Sequence, residues 1–379
     1  MASIAPSPFR RESGALTLDA LFRRIHLDLP LLLGVTALAA VGLFVLYSAS
    51  GESLESITRQ GIRMGISFVV MLVLAQIHPH TLKRWTPAFY LGIVILLIAV
   101  LVMGEIGKGA QRWLDLGVVR FQPSELMKLA LPMMIAWYLS ETPLPPSRRK
   151  LLASALLIAL PAGMIAKQPD LGTSLLVASS GLFVLFLAGL SWRLIAGFVV
   201  SVALAVWPVW KFLMHDYQRT RVITFLNPES DPLGSGYHII QSKIAVGSGG
   251  LYGKGWLNGT QSQLDFLPER STDFIFAVFA EEFGFLGAVL LLLLYLAVIT
   301  RGLYIAVQAQ ESYGRLLAGS LALTLFVYVF VNIGMVTGLL PVVGLPLPMI
   351  SYGGTSMVTL GAGFGILMSI HTHRRLLSS

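Results

Sequence analysis

Cysteine is absent from all 379 residues of the chain. Its absence excludes disulfides, thiolate nucleophiles and cysteine-ligated metal centres, and it leaves the redox compartment undecided. Charged residues are scarce at 12%, whereas 55% of the residues are hydrophobic and the mean hydropathy is +0.76. A water-soluble domain cannot cover that much apolar surface, so lipid is expected to be the main solvent of this protein.

Apolar runs of membrane-spanning length recur along the whole chain, each holding about 17–25 mostly apolar residues. The first run is followed by further runs rather than by a soluble domain, so it is not a cleavable signal peptide. The pattern predicts an all-α polytopic membrane protein with ten transmembrane helices. The predicted spans are 29–48, 60–78, 86–103, 124–140, 151–167, 171–189, 193–213, 274–299, 313–338 and 350–371.

Basic residues collect in one set of short loops, for example at Lys83, Arg84 and 148–150. The positive-inside rule places these loops in the cytoplasm, and ten spans then put both termini on that side. The net charge of +8 and the pI of about 9.8 therefore reflect membrane topology. Nucleic acid is not an expected partner, because no long basic stretch contains interleaved aromatics.

Three segments are expected in the domain organisation. Residues 1–28 form a cytoplasmic tail, and 29–379 form a single ten-helix membrane domain. Between helices 7 and 8, the large loop 214–272 is expected outside the cell membrane. Aromatic residues, β-branched residues and turn signals in this loop favour a folded cap over the outer face rather than a plain connector. "YHIIQSKIAVG" (237–247) has the spacing of a short surface helix.

Ionisable side chains in or beside the spans are candidate functional groups, because a charge in hydrocarbon costs at least a few kcal/mol. Glu125 and Lys128 lie three residues apart on one helical face, and they form either a structural ion pair or part of a site. Lys167 and Asp170 flank a helix break, and Arg63 enters the second span. The three cations together predict an anion site, with a phosphate group as the natural guest.

The stretch "FLPERSTDFIF" (266–276) places acids and a base at the entrance to the eighth span. Asp273 either caps the start of a helix or, being ionised near neutral pH, accepts a proton. Glu269 is a candidate positioning group. Glu281 and Glu282 lie two turns further along, deeper than an external substrate would reach, so a structural role is favoured for both.

The segment "GLPLPMISYGGTSM" (344–357) combines prolines with paired glycines just before the last span. Ser351, Gly353 and Gly354 lie in what is predicted to be a rigid turn with exposed backbone N–H groups. Within a membrane, such backbone is tolerated only where protein buries it or where it lines a cavity. The segment is therefore either a packing corner or part of the lining of a site.

Six blocks of the chain resemble the SEDS (shape, elongation, division and sporulation) family of bacterial peptidoglycan polymerases. "QSKIAVGSGG" and "GKGWLNGTQSQLDFLPE" resemble its elongation-type branch. The blocks span almost the whole chain and are "RWLDLG", "QPSELMK", "QPDLGTS", "NPESDPLGSGYHIIQSKIAVGSGGLYGKGW", "GTQSQLDFLPERSTDFIFAVFAEEFG" and "GLPLPMISYGGTSM".

The resemblance implies inverting glycosyl transfer on lipid II at the periplasmic face of the bacterial inner membrane, for cell elongation. It implies that Asp273 is the catalytic base. The implied substrate-binding residues are Arg63, Lys128, Lys167, Arg221, Gln241, Lys243 and Glu269. A divalent cation, Mg or Mn, is the candidate cofactor, and no organic cofactor is expected. The implied partners are a class B penicillin-binding protein and the membrane and cytoskeletal proteins of the elongation machinery.

Two other functions stay open. A lipid II flippase would carry polar groups through the whole depth of the bundle, whereas these groups concentrate in its outer half. A non-catalytic scaffold for a penicillin-binding protein would not need Asp273. One departure from the family pattern is visible, since Ser271 stands where the family usually has histidine, and this puts a catalytic role of that position in doubt.

Overall fold

The computed structural model describes residues 25–107, 110–115, 120–214, 216–231, 234–264, 266–267 and 269–373. Most of the predicted cytoplasmic tail, residues 1–24, lies outside the described residues, as do 374–379 at the other terminus. The described chain is mostly helical. Its α-helices are α1 Leu29–Ala49, α2 Leu54–Gln76, α3 Pro79–Met103, α4 Pro123–Ser140, α5 Arg148–Lys167, α6 Leu171–Leu187, α7 Trp192–Pro208, α8 Asp216–Leu226, α9 Ser235–Ser248, α10 Thr260–Gln263, α11 Ile275–Gln308, α12 Ser312–Val336 and α13 Thr355–Thr372.

Each of the ten predicted spans falls on one of these helices, with a π-helical stretch, Val209–Leu213, continuing α7. Seven helices are long and apolar enough to cross a membrane, which confirms a polytopic membrane protein. They are Leu29–Ala49, Leu54–Gln76, Pro79–Met103, Arg148–Lys167, Trp192–Phe212, Ile275–Gln308 and Ser312–Val336. Crossing by α4, α6 and α13 stays a prediction.

Capping residues extend two helices beyond their predicted starts. Ser53 accepts a hydrogen bond from the Ser56 N–H and begins α2 at Leu54, six residues before the predicted start. His78 caps α3 in the same way, by accepting from the backbone N–H of His80. Polar first turns satisfy free N–H groups outside the lipid, and a hydropathy pattern does not register them.

A short antiparallel sheet, β1 Glu105–Gly107, β2 Ala110–Asp115 and β3 Arg120–Phe121, connects α3 to α4. An all-α chain was expected, so the sheet is a departure from the prediction, although the fold class remains helical. Its strands have three, six and two residues, too short for an alternating pattern to reveal them reliably.

Contacts between segments that are distant in sequence identify the two ends of the bundle. At the end that holds the long loop, the Tyr352 N–H donates to the Ser271 carbonyl, and Arg112 donates to the Pro169 carbonyl at 2.7 Å. At the opposite end, Arg301 pairs with Asp28 at 2.6 Å. We call these the loop end and the basic end. Helix α12 is the most enclosed candidate span and runs between them.

Helix α11 is interrupted at Gly284, whose φ of 63° and ψ of −163° are not helical. The loop 249–255 fits into the break. The N–H groups of Phe285 and Leu286 donate to the carbonyls of Gly250 and Leu251, while the carbonyls of Glu281 and Glu282 accept from the N–H groups of 254 and 255. Loop and helix therefore exchange four backbone hydrogen bonds, which satisfies the groups that the interruption frees.

Candidate active site

The turn 269–274, just before α11, holds Asp273 at the loop end of the bundle. Three consecutive carbonyls of this turn accept hydrogen bonds from the bundle. The Ser271 carbonyl accepts from the Tyr352 N–H at 2.8 Å and the Thr272 carbonyl from the Ser351 hydroxyl at 2.6 Å. The Asp273 carbonyl accepts from the Asn332 side chain at 2.9 Å. The backbone beneath the Asp273 carboxylate is therefore fixed from three directions.

The Asp273 side chain itself is only half-buried. It does not occupy the capping position of α11, because that helix begins at Ile275 and its N-cap residue is Phe274, with no side-chain cap. Asp273 therefore lies one residue before the N-cap of α11. Glu269, at the other end of the turn, is exposed, has a left-handed φ of 50° and accepts from the Thr272 hydroxyl at 2.8 Å.

The segment 337–354 forms the floor beneath this turn. Ser351 accepts from the Leu347 N–H while it donates to the turn, so it ties the two segments together. Gly344 has a φ of +76°, and a Cβ there would lie 3.4 Å from Oδ2 of Asp273. A side chain at this position would both be strained and press on the carboxylate.

Arg63, on α2, reaches the same segment from the other side. Its guanidinium lies 4.5 Å from the centroid of the Tyr352 ring, and its Nε would be 3.8 Å from a Cβ at Gly354. Gln60, one turn earlier, donates to the Ser351 carbonyl at 3.1 Å and accepts from the Gly353 N–H at 3.4 Å. The predicted residues Arg63, Ser351, Gly353 and Gly354 thus meet beside Asp273.

Lys128 is buried and donates to Glu125 at 2.7 Å, as the helical spacing predicted. Its Nζ also bonds the Tyr328 hydroxyl. Tyr328 precedes Asn332 by four residues on α12, which is about 6 Å along a helix. The ion pair therefore lies roughly one helical turn deeper than Asp273, and one helix connects the two.

A narrow cavity of about 40 Å³ lies beside Lys128, between α4, α12 and α13. Its other walls are mainly apolar and include Leu321, Leu325, Gly363 and Phe364. Each water needs about 10–15 Å³ of such volume, so the cavity holds a few waters or a short piece of alkyl chain. A whole polyprenyl tail does not fit in it.

The predicted neighbours Lys167 and Asp170 do not pair with each other. Lys167 ends α5 and is exposed, whereas Asp170 begins α6 and caps it by accepting from the Thr173 N–H at 3.1 Å. Asp170 pairs instead with Arg112, at 3.5 Å. Because the helix break turns Asp170 toward the short sheet, the pair joins two segments that are far apart in sequence.

The remaining predicted cations lie on the long loop. Arg221 on α8 is exposed and approaches the Val342 carbonyl at 3.4 Å. Lys243 on α9 is exposed, and its stem lies against Gly338, where a Cβ would be 1.9 Å from the Lys243 Cε. Gln241, two residues earlier, is half-buried. Arg221 and Lys243 therefore lie against the segment 337–354.

Glu281 and Glu282 are fully buried, at 0% and 1% exposure. Glu281 accepts from Lys254 at 2.7 Å, from Thr260 at 3.1 Å and from the Gln261 N–H at 3.0 Å, while Glu282 accepts from the Ser48 hydroxyl. Glu281 anchors the loop 249–263 to the bundle, and Glu282 ties α11 to α1. These contacts support the structural role favoured for them.

No group of three or more histidine or acidic residues within the described ranges could hold a metal ion. A requirement for Mg or Mn stays a prediction.

Sequence reasoning missed four residues that the structure places at the site. On α12, Asn332 donates to the Asp273 carbonyl and Tyr328 accepts from Lys128. On α9, His238 stacks on Phe274. The fourth is Arg112, in the block "RWLDLG", which pairs with Asp170. The polar residues Tyr328 and Asn332, spaced i, i+4 within an otherwise apolar span, were the available signal.

The fold and this cluster define a polytopic membrane protein with a fixed carboxylate at one end of its helix bundle. The model of the FtsW/RodA/SpoVE family, described as cell cycle protein, matches residues 25–376. The chain belongs to this family.

Within the family, the chain is 59% identical over 355 residues to the peptidoglycan glycosyltransferase MrdB of Escherichia coli K12. The aligned region covers 94% of this chain and 96% of that protein. It is similar to a chain in a solved structure on the coordination of polymerization and crosslinking by a peptidoglycan synthase complex, with a TM-score of 0.81, 33% identity and coverage of 92% and 99%. It is also similar to the crystal structure of the rod shape determining protein RodA of Thermus thermophilus, with a TM-score of 0.70, 31% identity and coverage of 92% and 98%.

Proposed function

We propose that this protein is a peptidoglycan glycosyltransferase that joins lipid II disaccharides into glycan strands for cell elongation. The similarity to MrdB over 94% of the chain supports the activity. The observation that carries the proposal is the half-buried Asp273 carboxylate on a turn fixed by three consecutive carbonyl hydrogen bonds. A base held in place before the substrate arrives needs little reorganisation during the reaction.

Asp273 takes the proton from the 4-hydroxyl of the acceptor sugar. The hydroxyl oxygen attacks the anomeric carbon of the lipid-linked strand, and the bond from that carbon to the pyrophosphate oxygen breaks. The configuration inverts from α to β, and undecaprenyl pyrophosphate leaves with the bonding electrons. Positive charge is needed where the pyrophosphate departs. Arg63, on α2, lies against Tyr352 of the segment 337–354 beside Asp273. Lys128, by contrast, bonds Glu125 and Tyr328 one turn deeper.

We propose that the chain crosses the membrane ten times with the loop end in the periplasm, where the sugar of the substrate is in water while its prenyl tail stays in lipid. The absence of cysteine makes the topology testable by single substitutions. Ser53→Cys at the loop end should react with a membrane-impermeant maleimide in cells whose outer membrane has been permeabilised. Ser191→Cys at the basic end should react only after the inner membrane is also opened. The opposite result would reverse the orientation.

The decisive experiment is polymerisation of labelled lipid II by the purified protein, alone and with a class B penicillin-binding protein, with and without divalent cations. Asp273→Asn keeps the shape of the side chain and the backbone bonds but removes the base, so activity should fall about 10²–10⁴-fold. Thr337→Ala, which alters a hydroxyl that bonds only its own helix, is the matched control. Full activity of Asp273→Asn would exclude the base assignment.

The two rivals make different predictions in the same preparation. A flippase would move lipid II across vesicles at a rate unaffected by Asp273→Asn. A scaffold would show no polymerase activity of its own, and the partner's activity would not depend on Asp273. The similar chain in the peptidoglycan synthase complex supports a partnership with a cross-linking enzyme.

A further inference from the structure

His238, on α9, packs its ring on Phe274, the residue that follows Asp273. The ring centroids are 5.8 Å apart and the planes differ by 18°, so the rings are stacked. Phe274 is 2% exposed and occupies the N-cap of α11. The bundle holds the Asp273 turn from below through Asn332, Ser351 and the Tyr352 N–H. The His238 stack holds it from the side of the long loop.

Helix α9 also carries two residues predicted to bind substrate, Gln241 and Lys243. Gln241 is three residues beyond His238 and therefore lies on the same face of the helix. Near the middle of α9, the Ser242 hydroxyl bonds the Val336 carbonyl of α12 at 2.9 Å. At its N-terminal end, the stack of His238 on Phe274 sets the position of α9 relative to the carboxylate.

The imidazole of His238 is partly buried, and two carboxylates act on its charge. Its Nδ1 is shielded from solvent and has no hydrogen-bond partner. Burial lowers the pKa of His238, and the carboxylates of Glu269 and Asp231 oppose that shift. The ring is therefore neutral at pH 7, and acidification places a positive charge beside two carboxylates. The other ionisable groups on the two elements that carry the stack are Arg270 and Asp273 on the turn and Tyr237 and Lys243 on α9.

We propose that His238 is a proton-dependent positioning residue. As a neutral imidazole it stacks on Phe274 and keeps α9 in register with Asp273. As an imidazolium it is better solvated in water than in this shielded position, so it leaves the stack and the register loosens. This inference rests on the proposed polymerase function with Asp273 as the base. Its consequence is that polymerisation slows when the outer side acidifies.

The test compares pH profiles of lipid II polymerisation from pH 5 to 8 for the full-length protein with its partner. His238→Phe keeps an aromatic ring but cannot be protonated, so its loss of activity at low pH should begin at a lower pH than in the wild type. His238→Ala removes the stack and should lower kcat about 2–10-fold even at pH 8, the range expected for loss of one aromatic pair. Ile244→Ala, an exposed change on the same helix, should follow the wild-type profile.

A His238→Phe profile identical to that of the wild type would overturn the proposal, as would a His238→Ala variant with full activity at pH 8. Thermal unfolding gives a readout that does not depend on catalysis. Because the folded-state pKa of His238 is lowered, its contribution to stability is present above about pH 6.5 and is lost as pH falls. The wild-type Tm should therefore fall relative to that of His238→Phe between pH 7 and 5. If the wild type does not polymerise lipid II, the proposed function fails, and this Tm difference still decides the role of His238.

Discussion

Asn332→Ala tests whether the fixed backbone beneath Asp273 matters for activity. Asn332 is completely buried, and its Nδ2 donates to the carbonyls of Asp273 and Leu345 at 2.9 and 2.7 Å. Alanine removes the donor of both hydrogen bonds. Each unsatisfied group costs about 1–3 kcal/mol, so the variant should be less stable by about 2–6 kcal/mol. The turn also loses one of its three attachments, and displacement of the base by about 1 Å can cost up to about 100-fold in rate.

The assay measures the Tm of the purified protein and, below that Tm, lipid II polymerisation per folded molecule. We expect both to fall for Asn332→Ala, and we expect Thr337→Ala, on the same helix, to change neither. An Asn332→Ala protein with a lowered Tm but wild-type activity per folded molecule would show that Asn332 only stabilises the fold. A variant with wild-type Tm would refute the hydrogen-bond reasoning itself.

Three further substitutions test other parts of the site. Lys128→Met leaves Glu125 buried without its partner. The free energy of unfolding should fall by about 3–5 kcal/mol, the cost of a broken buried pair, and the yield of folded protein should fall with it. The Lys128→Met/Glu125→Gln double variant should recover the yield, and recovery of polymerisation as well would exclude a role for Lys128 in substrate use. Gly344→Ala adds a Cβ beside Asp273 at a positive φ, so kcat should fall at least tenfold; an unchanged kcat would refute the close approach. Glu281→Gln removes the charge that Lys254 pairs with, so limited proteolysis should cut the loop 249–263 faster, and an unchanged cleavage rate would contradict the anchoring role.

Hydropathy placed each of the ten predicted spans on a helix, because long apolar runs need no knowledge of their neighbours. The polar first turns that Ser53 and His78 begin were missed, since capping lies outside the apolar pattern. The pair Glu125–Lys128 was predictable because both residues are on one helix, three positions apart. Lys167 and Asp170 have the same separation, but they flank the predicted helix break, and the structure confirms that one helix ends at Lys167 and the next begins at Leu171.

The support of Asp273 could not be predicted in the same way. Asn332 lies 59 residues further along the chain, and Ser351 and Tyr352 are more distant still. No local pattern links such positions, because the contact depends on how α12 and the segment 337–354 pack against α11. The sequence identified the carboxylate through its residue type and place at a span boundary, whereas its immobilisation required the tertiary structure.

The interruption of α11 at Gly284 has a practical consequence for engineering this protein. The loop 249–255 supplies hydrogen-bond partners that the helix would otherwise take from its own chain, so the two segments should fold and melt together. Peptide tags inserted between 249 and 255 should therefore damage a membrane helix, although the insertion point is outside it. Insertions at the turn 309–311, which contributes nothing to that interruption, should be tolerated.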